Sequence, residues 1–226
     1  MSFTYEEKRS SSPYVDIVWH TEDQTDGVYI ASADASWDMI FIQSREGKRR
    51  VLLSGPCSKT THVPYLAGNK NFGMRFKPGV IFKDLPIINM VNVTQPLPMP
   101  TQDTFLLQGI TWTMPAYETI DQFLAELAEH GMLNIDPVIR DVLEGKVVNM
   151  SARSIQRHFA ETIGLSPRQV RQIECARKAV GLLLQGRLLP EVAYELGYAD
   201  QPHMIRMLRR FTGFTPMGNK RRGEHV

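Results

Sequence analysis

The chain has 226 residues, enough for one large domain or two smaller ones, and 42% of them are hydrophobic while 22% are charged. These proportions are ordinary for a soluble globular protein, and no apolar run approaches the ~18 residues that a membrane span needs. The polar start MSFTYEEKRSSSPY does not resemble a signal peptide. With two cysteines, too few for a disulfide framework, the sequence favours the reducing cytoplasm and no membrane contact.

Charge is unevenly distributed along the chain. The net charge is only +2, yet Lys146–Val226 contains 14 basic and 6 acidic side chains, whereas the preceding residues contain 12 basic and 18 acidic ones. This asymmetry indicates a basic C-terminal module beside a separate acidic region. By itself it does not distinguish a nucleic-acid interface from a solvated charged face.

Residues 1–115 have the pattern of short strands separated by turns. The runs MIFIQ and RVLLSG flank the polar turn SREGKR, as in a β-hairpin, and YVDIVWH, GVYIAS and NFGMRF are further runs of β-branched and aromatic residues. We therefore predict a mainly β domain, a sandwich or small barrel, for residues 1–115.

From residue 116 the apolar spacing becomes helical, so the fold class is α+β with an all-α domain at 116–226. DPVIRDVLEGK begins with Asp136 as N-cap and Pro137 at the first helical position. SPRQVRQIECARKAVGLLLQG opens with a capping box at Ser166 and Gln169. As one helix it would extend roughly 28 Å. A short helix in PEVAYELGY ends at Gly197.

One helical segment occurs twice. SARSIQRHFAETIGLSP at Ser151–Pro167 aligns without a gap with DQPHMIRMLRRFTGFTP at Asp200–Pro216, at an offset of 49 residues that pairs Arg157 with Arg206. Each copy starts with an N-cap residue and has an apolar face opposite a basic one. A helix of this kind fits the major groove of DNA, where Arg pairs with guanine and Gln with adenine.

The helix between the two copies sets their spacing. Its length of roughly 28 Å is close to the separation of about 34 Å between successive major-groove segments on one side of a duplex. We therefore expect recognition helices at about 151–162 and 200–212 to bind two adjacent half-sites from a single chain.

The stretches SARSIQRHF…GLSP and LGYADQPHMIRMLRRFTGFTP resemble the AraC/XylS family of bacterial transcription regulators, over about Asp136 to Arg222. The resemblance implies two helix-turn-helix units joined by a linker helix, with double-stranded DNA as the partner. It also implies a first domain that binds a small-molecule effector or forms a homodimer, and RNA polymerase as a partner if the protein activates transcription. The implied DNA-binding residues are Arg153, Gln156 and Arg157 in the first unit, and Gln201, Pro202, Ile205 and Arg206 in the second, with Arg209 nearer the phosphates.

The sequence also departs from that family. The turn EGKVVNM is longer than usual, and Leu188 occupies a position where the family usually has a capping Ser or Thr. Pro202 and Ile205 replace more polar residues, which reduces the hydrogen-bonding capacity of the second unit. We therefore expect two unequal half-sites.

Two alternatives concern the first region. It could only dimerise, which would make the protein a constitutive DNA-binding regulator, or it could be an enzyme with a helical targeting module. The sequence contains no GxSxG, P-loop or HExxH motif, so we expect no enzyme, no catalytic residues and no cofactor. Cys57 and His62 lack a second pair, so we expect no metal. Four aromatic residues are candidates for an effector pocket, with core packing as the alternative role: Trp37, Phe41, Phe76 and Trp112.

Overall fold

The computed structural model describes residues 3–85 and 89–216, in which strands come first and helices follow. The strands are β1 (Phe3–Arg9), β2 (Val15–Asp23), β3 (Gly27–Ala31), β4 (Asp38–Gln43), β5 (Arg49–Ser54), β6 (Thr61–Tyr65), β7 (Lys70–Phe76), β8 (Val80–Phe82), β9 (Thr94–Pro96), β10 (Thr104–Leu107), β11 (Ile110–Thr113) and β12 (Leu133–Ile135). The helices are α1 (Ile120–Glu129), α2 (Pro137–Leu143), α3 (Ala152–Thr162), α4 (Pro167–Leu184), α5 (Leu189–Glu195) and α6 (Gln201–Thr212).

Most of the β region is a six-stranded antiparallel sheet in the order β1-β2-β7-β4-β5-β9. The predicted hairpin is confirmed as β4–β5, with Phe41 opposite Val51. Its turn is closed by a hydrogen bond of 2.8 Å from the amide of Gly47 to the carbonyl of Ser44. Gly47 has a φ of 81°, a conformation that glycine adopts at no steric cost.

The first hydrophobic core lies between this sheet and the elements that cover it. Phe41 on β4 has its ring centroid 6.0 Å from those of Phe105 on β10 and Phe123 on α1. The β10–β11 ribbon and the β8–β12 pair contribute further buried side chains to the same core. The β region is therefore a layered structure closed by a helix.

The helix α1 belongs to this first core by its packing. Ile120 and Leu127 are fully buried among the β-region side chains, and Leu133 on β12 pairs with Phe82 on β8. The division of the chain at residues 115 and 116 stays a prediction. We propose instead that the helical domain starts near Asp136, because residues 120–135 complete the core of the preceding region.

Helices α2 to α6 share a second core. Its largest fully buried side chains are Phe159 on α3 and Phe211 on α6, and Val170, Ile173 and Val180 on α4 belong to the same core. The predicted fold class is confirmed: a mainly β region precedes an all-α region with two helix-turn-helix units joined by a linker helix. Within residues 3–85 and 89–216, no helix combines the length and apolar character needed to cross a membrane.

The two regions contact each other through the segment that follows β3. The amide of Ala33 donates a hydrogen bond of 2.6 Å to the carbonyl of Phe211, and Ala33 and Ala35 are buried in the second core. Gly213, the C-cap of α6, lies against Ile30 on β3, since a Cβ added there would come 2.8 Å from the Ile30 Cγ2. The end of α6 is therefore held by the β region.

Buried charges lie close to this contact. The Arg75 Nε is 3.3 Å from the Asp34 Oδ2 and 3.5 Å from the Asp38 Oδ1. Burial disfavours the charge of Arg75, but Asp38 and Asp34 outweigh it and raise the pKa of Arg75 above its usual range. Burial also raises the pKa of Asp38 to about 8, against the attraction of Arg75. Arg177 on α4 lies near the same charges. Burial and the positive charge of Arg75 lower the pKa of Arg177, whereas the negative charge of Asp34 raises it.

Two glycine substitutions test the contact between α6 and β3. Gly197 and Gly213 have φ values of 70° and 69°, so Ala at either position is strained by about 1–2 kcal/mol. A Cβ at Gly197 meets no described atom within 4 Å, whereas at Gly213 it meets Ile30. We expect Gly213→Ala to lower the free energy of unfolding by about 1 kcal/mol more than Gly197→Ala, because of overpacking.

Urea denaturation measures both losses. In an Ile30→Ala background, which removes the clash, Gly213→Ala should cost no more than Gly197→Ala costs in the parent. Equal losses for the two glycine variants would show that α6 does not rest on β3 in solution.

Candidate nucleic-acid interface

The helix α3, the predicted first recognition helix, begins as the sequence predicts. The Ser151 hydroxyl accepts a hydrogen bond of 3.1 Å from the amide of Ser154, which satisfies one of the unpaired N–H groups at the helix start. Phe159 is fully buried. The three candidate DNA-binding residues of this helix are exposed: Arg153, Gln156 and Arg157. The helix therefore presents a basic face on the side opposite its buried anchor.

A histidine fixes α3 to the helix before it. The His158 Nε2 is 2.8 Å from the Asp136 Oδ2, and the Asp136 Oδ1 also accepts from the amide of Ile139 as N-cap of α2. One carboxylate thus caps α2 and binds α3. The sequence predicts the capping role of Asp136 but not its contact with His158, because the two residues are 22 positions apart.

The helix α6, the predicted second recognition helix, has the same construction. The Asp200 carboxylate accepts from the amide of His203 at 2.5 Å, and Met204 and Leu208 are fully buried. Four of its five candidate residues are exposed: Gln201, Pro202, Arg206 and Arg209. The fifth, Ile205, is half-buried. Gly164 and Gly213 terminate the two helices at equivalent positions, with φ values of 76° and 69°. The repeat in the sequence is therefore a structural repeat.

The linker helix α4 connects the two units as a continuous element. Its capping box is present, with the Ser166 hydroxyl accepting from the amide of Gln169 and the Gln169 side chain accepting from the amide of Ser166. It has 18 residues, from Pro167 to Leu184. This corresponds to about 27 Å. Because α3 and α6 both pack in the core that α4 runs through, α4 fixes their relative position.

The two units differ where the sequence predicts a difference. Residues 144–151 connect α2 to α3, and residues 196–200 connect α5 to α6, so the first connection is three residues longer. Val147 in the longer connection is fully exposed. Leu188 is the N-cap of α5 and, having no polar side-chain atom, cannot cap it. The first unit therefore has an unusual turn and the second an uncapped helix.

A groove separates α3 from α6. It has a volume of about 710 Å³, and its floor is the N-terminal half of α4, including Arg168, Arg171 and Gln172. Ile155 of α3 contributes to one wall and His203 of α6 to the other. No sequence pattern indicates this groove, because it forms between helices that are distant in the chain.

The aromatic candidates for an effector pocket are all buried in the first core: Trp37, Phe41, Phe76 and Trp112. Trp37 and Phe76 both contact Phe82, with ring centroids 5.4 and 4.9 Å apart. The indole N–H of Trp112 donates to the carbonyl of Leu107 at 3.4 Å. This packing corresponds to the alternative role that the sequence allows. An effector-lining role for these residues stays a prediction.

Two further observations concern metal binding and the Cys57 thiol. Among residues 3–85 and 89–216, no cluster of three or more His, Cys, Asp or Glu side chains could hold a metal ion. Burial, Asp34 and Asp38 raise the pKa of the Cys57 thiol to about 12. A thiol with that pKa is a poor nucleophile near neutral pH.

Comparison with known proteins agrees with this geometry. Residues 145–222 match a family model described as a helix-turn-helix domain, so this part of the chain is a DNA-binding helix-turn-helix domain. No curated protein matches the chain significantly.

Among solved structures, ToxT from Vibrio cholerae aligns with a TM-score of 0.46 and 13% identity, covering 96% of this chain and 97% of that one. ToxT from Vibrio cholerae O395 bound to (E)-4-(8-methylnaphthalen-1-yl)but-3-enoic acid aligns with a TM-score of 0.44 and 12% identity, covering 96% and 97%. These TM-scores and identities are too low to establish the fold class, which is established by the strands and helices of this chain itself.

The uncapped start of α5 gives a stability prediction. Leu188 has extended backbone angles, φ −76° and ψ 142°, and its side chain is 62% exposed. A serine there could accept a hydrogen bond from an amide of the first turn while losing little apolar burial. We expect Leu188→Ser to raise the free energy of unfolding by about 0.5–1 kcal/mol.

Denaturant unfolding measures this gain, and Ser151→Ala is the matched control. That variant removes an existing cap and should lose a similar amount. A Leu188→Ser protein that is no more stable than the parent would show that α5 does not need a cap.

Proposed function

We propose that this protein, whose C-terminal region is a helix-turn-helix domain of the AraC/XylS type, regulates transcription by binding two adjacent major-groove segments of one DNA duplex. DNA binding follows from the domain itself. The two-segment arrangement is supported by one observation: α3 and α6 repeat the same caps, buried anchors and exposed basic faces, and both pack against one continuous helix.

In the first unit, we assign base contacts to the exposed face of α3. Arg153 and Arg157 carry guanidinium groups that fit the O6 and N7 acceptors of guanine, and Gln156 fits the N6 and N7 of adenine. Arg157 has its Nε 4.0 Å from the Glu161 Oε1, with both side chains largely exposed. An exposed pair of this kind is weak, so Arg157 is free to exchange it for a base.

In the second unit, fewer side chains are available to form hydrogen bonds with bases. Gln201 and Arg206 supply them near the start of α6, while Pro202 and Ile205 offer apolar contact that suits a thymine methyl group. Arg209 lies further along the helix and is assigned to a phosphate. The second half-site should therefore be less strictly specified than the first.

Effector control is supported by the contact between the two regions. The hydrogen bond from Ala33 to Phe211 and the buried charges around Arg75 join the β region to the α4–α6 unit. A small molecule that binds one arrangement of this contact better than another would shift the protein toward it. The alternative is a constitutive regulator whose β region only forms a homodimer, and contact with RNA polymerase is expected only of an activator.

Substituting one arginine in each unit tests the two-segment proposal. In footprinting of DNA upstream of the protein's own gene, we expect two protected regions about one helical turn apart. Arg157→Ala should relax base discrimination in one region and Arg206→Ala in the other, by about 1–3 kcal/mol at the contacted base pair. Arg50→Ala, an exposed arginine of β5, removes the same charge outside the interface and is the control.

The readout is the affinity for duplexes with single base-pair changes in each region. If both arginine variants kept the parent's base preference, the assignment of α3 and α6 would be wrong.

Removing one buried charge tests whether the contact between the two regions influences DNA binding, as effector control requires. The side chain of Asp34 is 5% exposed, and its Oδ1 accepts hydrogen bonds from the amides of Ser36 and Cys57. Asp34→Asn keeps these acceptors but leaves Arg75 and Arg177 with one carboxylate fewer. We expect a loss of about 3 kcal/mol in the free energy of unfolding and a changed affinity for DNA.

Asp103→Asn is the control, because the side chain of Asp103 is 71% exposed and its ion-pair partner is Arg49 on β5. Calorimetry and gel-shift titration measure the two effects. Lower stability with unchanged DNA affinity would favour the constitutive alternative.

A further inference from the structure

We propose that Arg168 and Arg171 of α4 bind phosphates of the DNA backbone between the two half-sites. The inference rests on the proposed function and adds a third contact region, contributed by the linker helix, to the two recognition helices. It assigns an occupant to the groove of about 710 Å³ between α3 and α6.

The helix α4 presents two different faces. Arg168, Arg171, Gln172 and Cys175 are spaced by three and four residues, so they lie on one side of the helix and line the groove. Arg177 lies on the other side, near Asp34 of the β region. The linker helix therefore contacts the β region with one side and leaves two arginines in the groove on the opposite side.

Both arginines have donors to spare. Arg168 and Arg171 are exposed, and the Arg171 Nη2 donates a hydrogen bond of 3.2 Å to the carbonyl of Val142 at the end of α2. This bond holds the guanidinium at the edge of the groove and uses one of its five N–H donors. The remaining donors suit a phosphate, which accepts bidentate hydrogen bonds from arginine.

The charge of the groove fits a polyanion. In the described part of the chain, its lining includes two arginines and His203 and no acidic side chain. Arg168 and Arg171 therefore give the floor of the groove a net positive charge.

The position of the groove identifies which part of the duplex it faces. If α3 and α6 enter successive major-groove segments, the DNA between them presents its minor groove, bordered by two phosphate backbones. The protein surface opposite that stretch is the one between α3 and α6, with α4 as its floor. Backbone contacts there would fix the register of the two helices without reading sequence.

The salt dependence of binding measures such interactions. The full chain is titrated, at several salt concentrations, with a duplex that contains both footprinted half-sites. Removing one arginine–phosphate interaction makes the slope of log K against log salt shallower by about 0.9. We therefore expect a reduction of about 0.9 for Arg168→Ala and of about 1.8 for the double variant Arg168→Ala with Arg171→Ala. Arg168→Lys should restore the slope, because it keeps the charge. Base discrimination in both half-sites should stay as in the parent.

A second duplex locates the phosphates that are bound. It carries neutral methylphosphonate linkages in the backbone between the half-sites and normal phosphates elsewhere. The parent protein should bind it more weakly than the unmodified duplex, whereas the double variant should bind both duplexes equally. Arg168→Ala is informative even if Arg171→Ala is destabilised by the loss of its bond to Val142. Arg50→Ala should show the parent's preference for the unmodified duplex.

The outcomes separate the two proposals. If the Arg168 and Arg171 variants keep the parent's slope while Arg157→Ala and Arg206→Ala relax base discrimination, the phosphate contact is refuted and the proposed function stands. If the α4 variants change base preference instead of the slope, they contact bases and the inference is wrong. If the parent protects no specific DNA, the proposed function itself fails.

Discussion

The packing of α3 and α6 against one uninterrupted helix, α4, is the constraint on which the proposed DNA interface depends. Phe159 anchors α3 and Phe211 anchors α6, and both are buried with the apolar side chains of α4. Recognition of two groove segments by one chain requires a fixed separation and a fixed rotation between the helices. Because protein cores are close-packed and deform little, shared burial supplies both conditions without a second protein molecule.

The same core carries the connection to the β region. Ala33 and Ala35 are buried with the helices, and the carbonyl of Phe211 accepts from Ala33. The chain therefore places a segment of the first region against the helix whose other side is exposed for DNA. A change in the position of that segment would act on α6 and, through Arg177, on α4. The proposed effector control would use this contact, because the two regions share buried side chains there.

Local features of the fold could be predicted from the sequence. Asp136, Ser151, Ser166 and Asp200 all cap helices as predicted, since a cap depends on residues only three positions apart. The β4–β5 hairpin and the repeat at an offset of 49 residues are local in the same sense. The exposure of the candidate arginines follows from helical periodicity once each helix is located.

Long-range features could not be predicted. The helical pattern of α1 is clear in the sequence, but nothing local indicates that Phe123 packs against Phe41 on β4 rather than against the helical region. The His158–Asp136 contact, the charges around Arg75 and the groove over α4 each join residues that are far apart in the chain. The aromatic candidates for an effector pocket illustrate the same limit, because composition alone does not separate a packed core from a pocket.

The most direct test of the central claim is the dependence of affinity on the distance between the half-sites. Inserting about 5 base pairs between them moves one half-site to the opposite side of the duplex, since B-DNA repeats every 10–10.5 base pairs. A chain whose α3 and α6 are fixed by α4 should then bind with the affinity of a single half-site. Inserting a further 5 base pairs should not restore the original affinity, because the half-sites are then too far apart. Undiminished affinity at every spacing would show that the two helices move independently, which contradicts a shared rigid core.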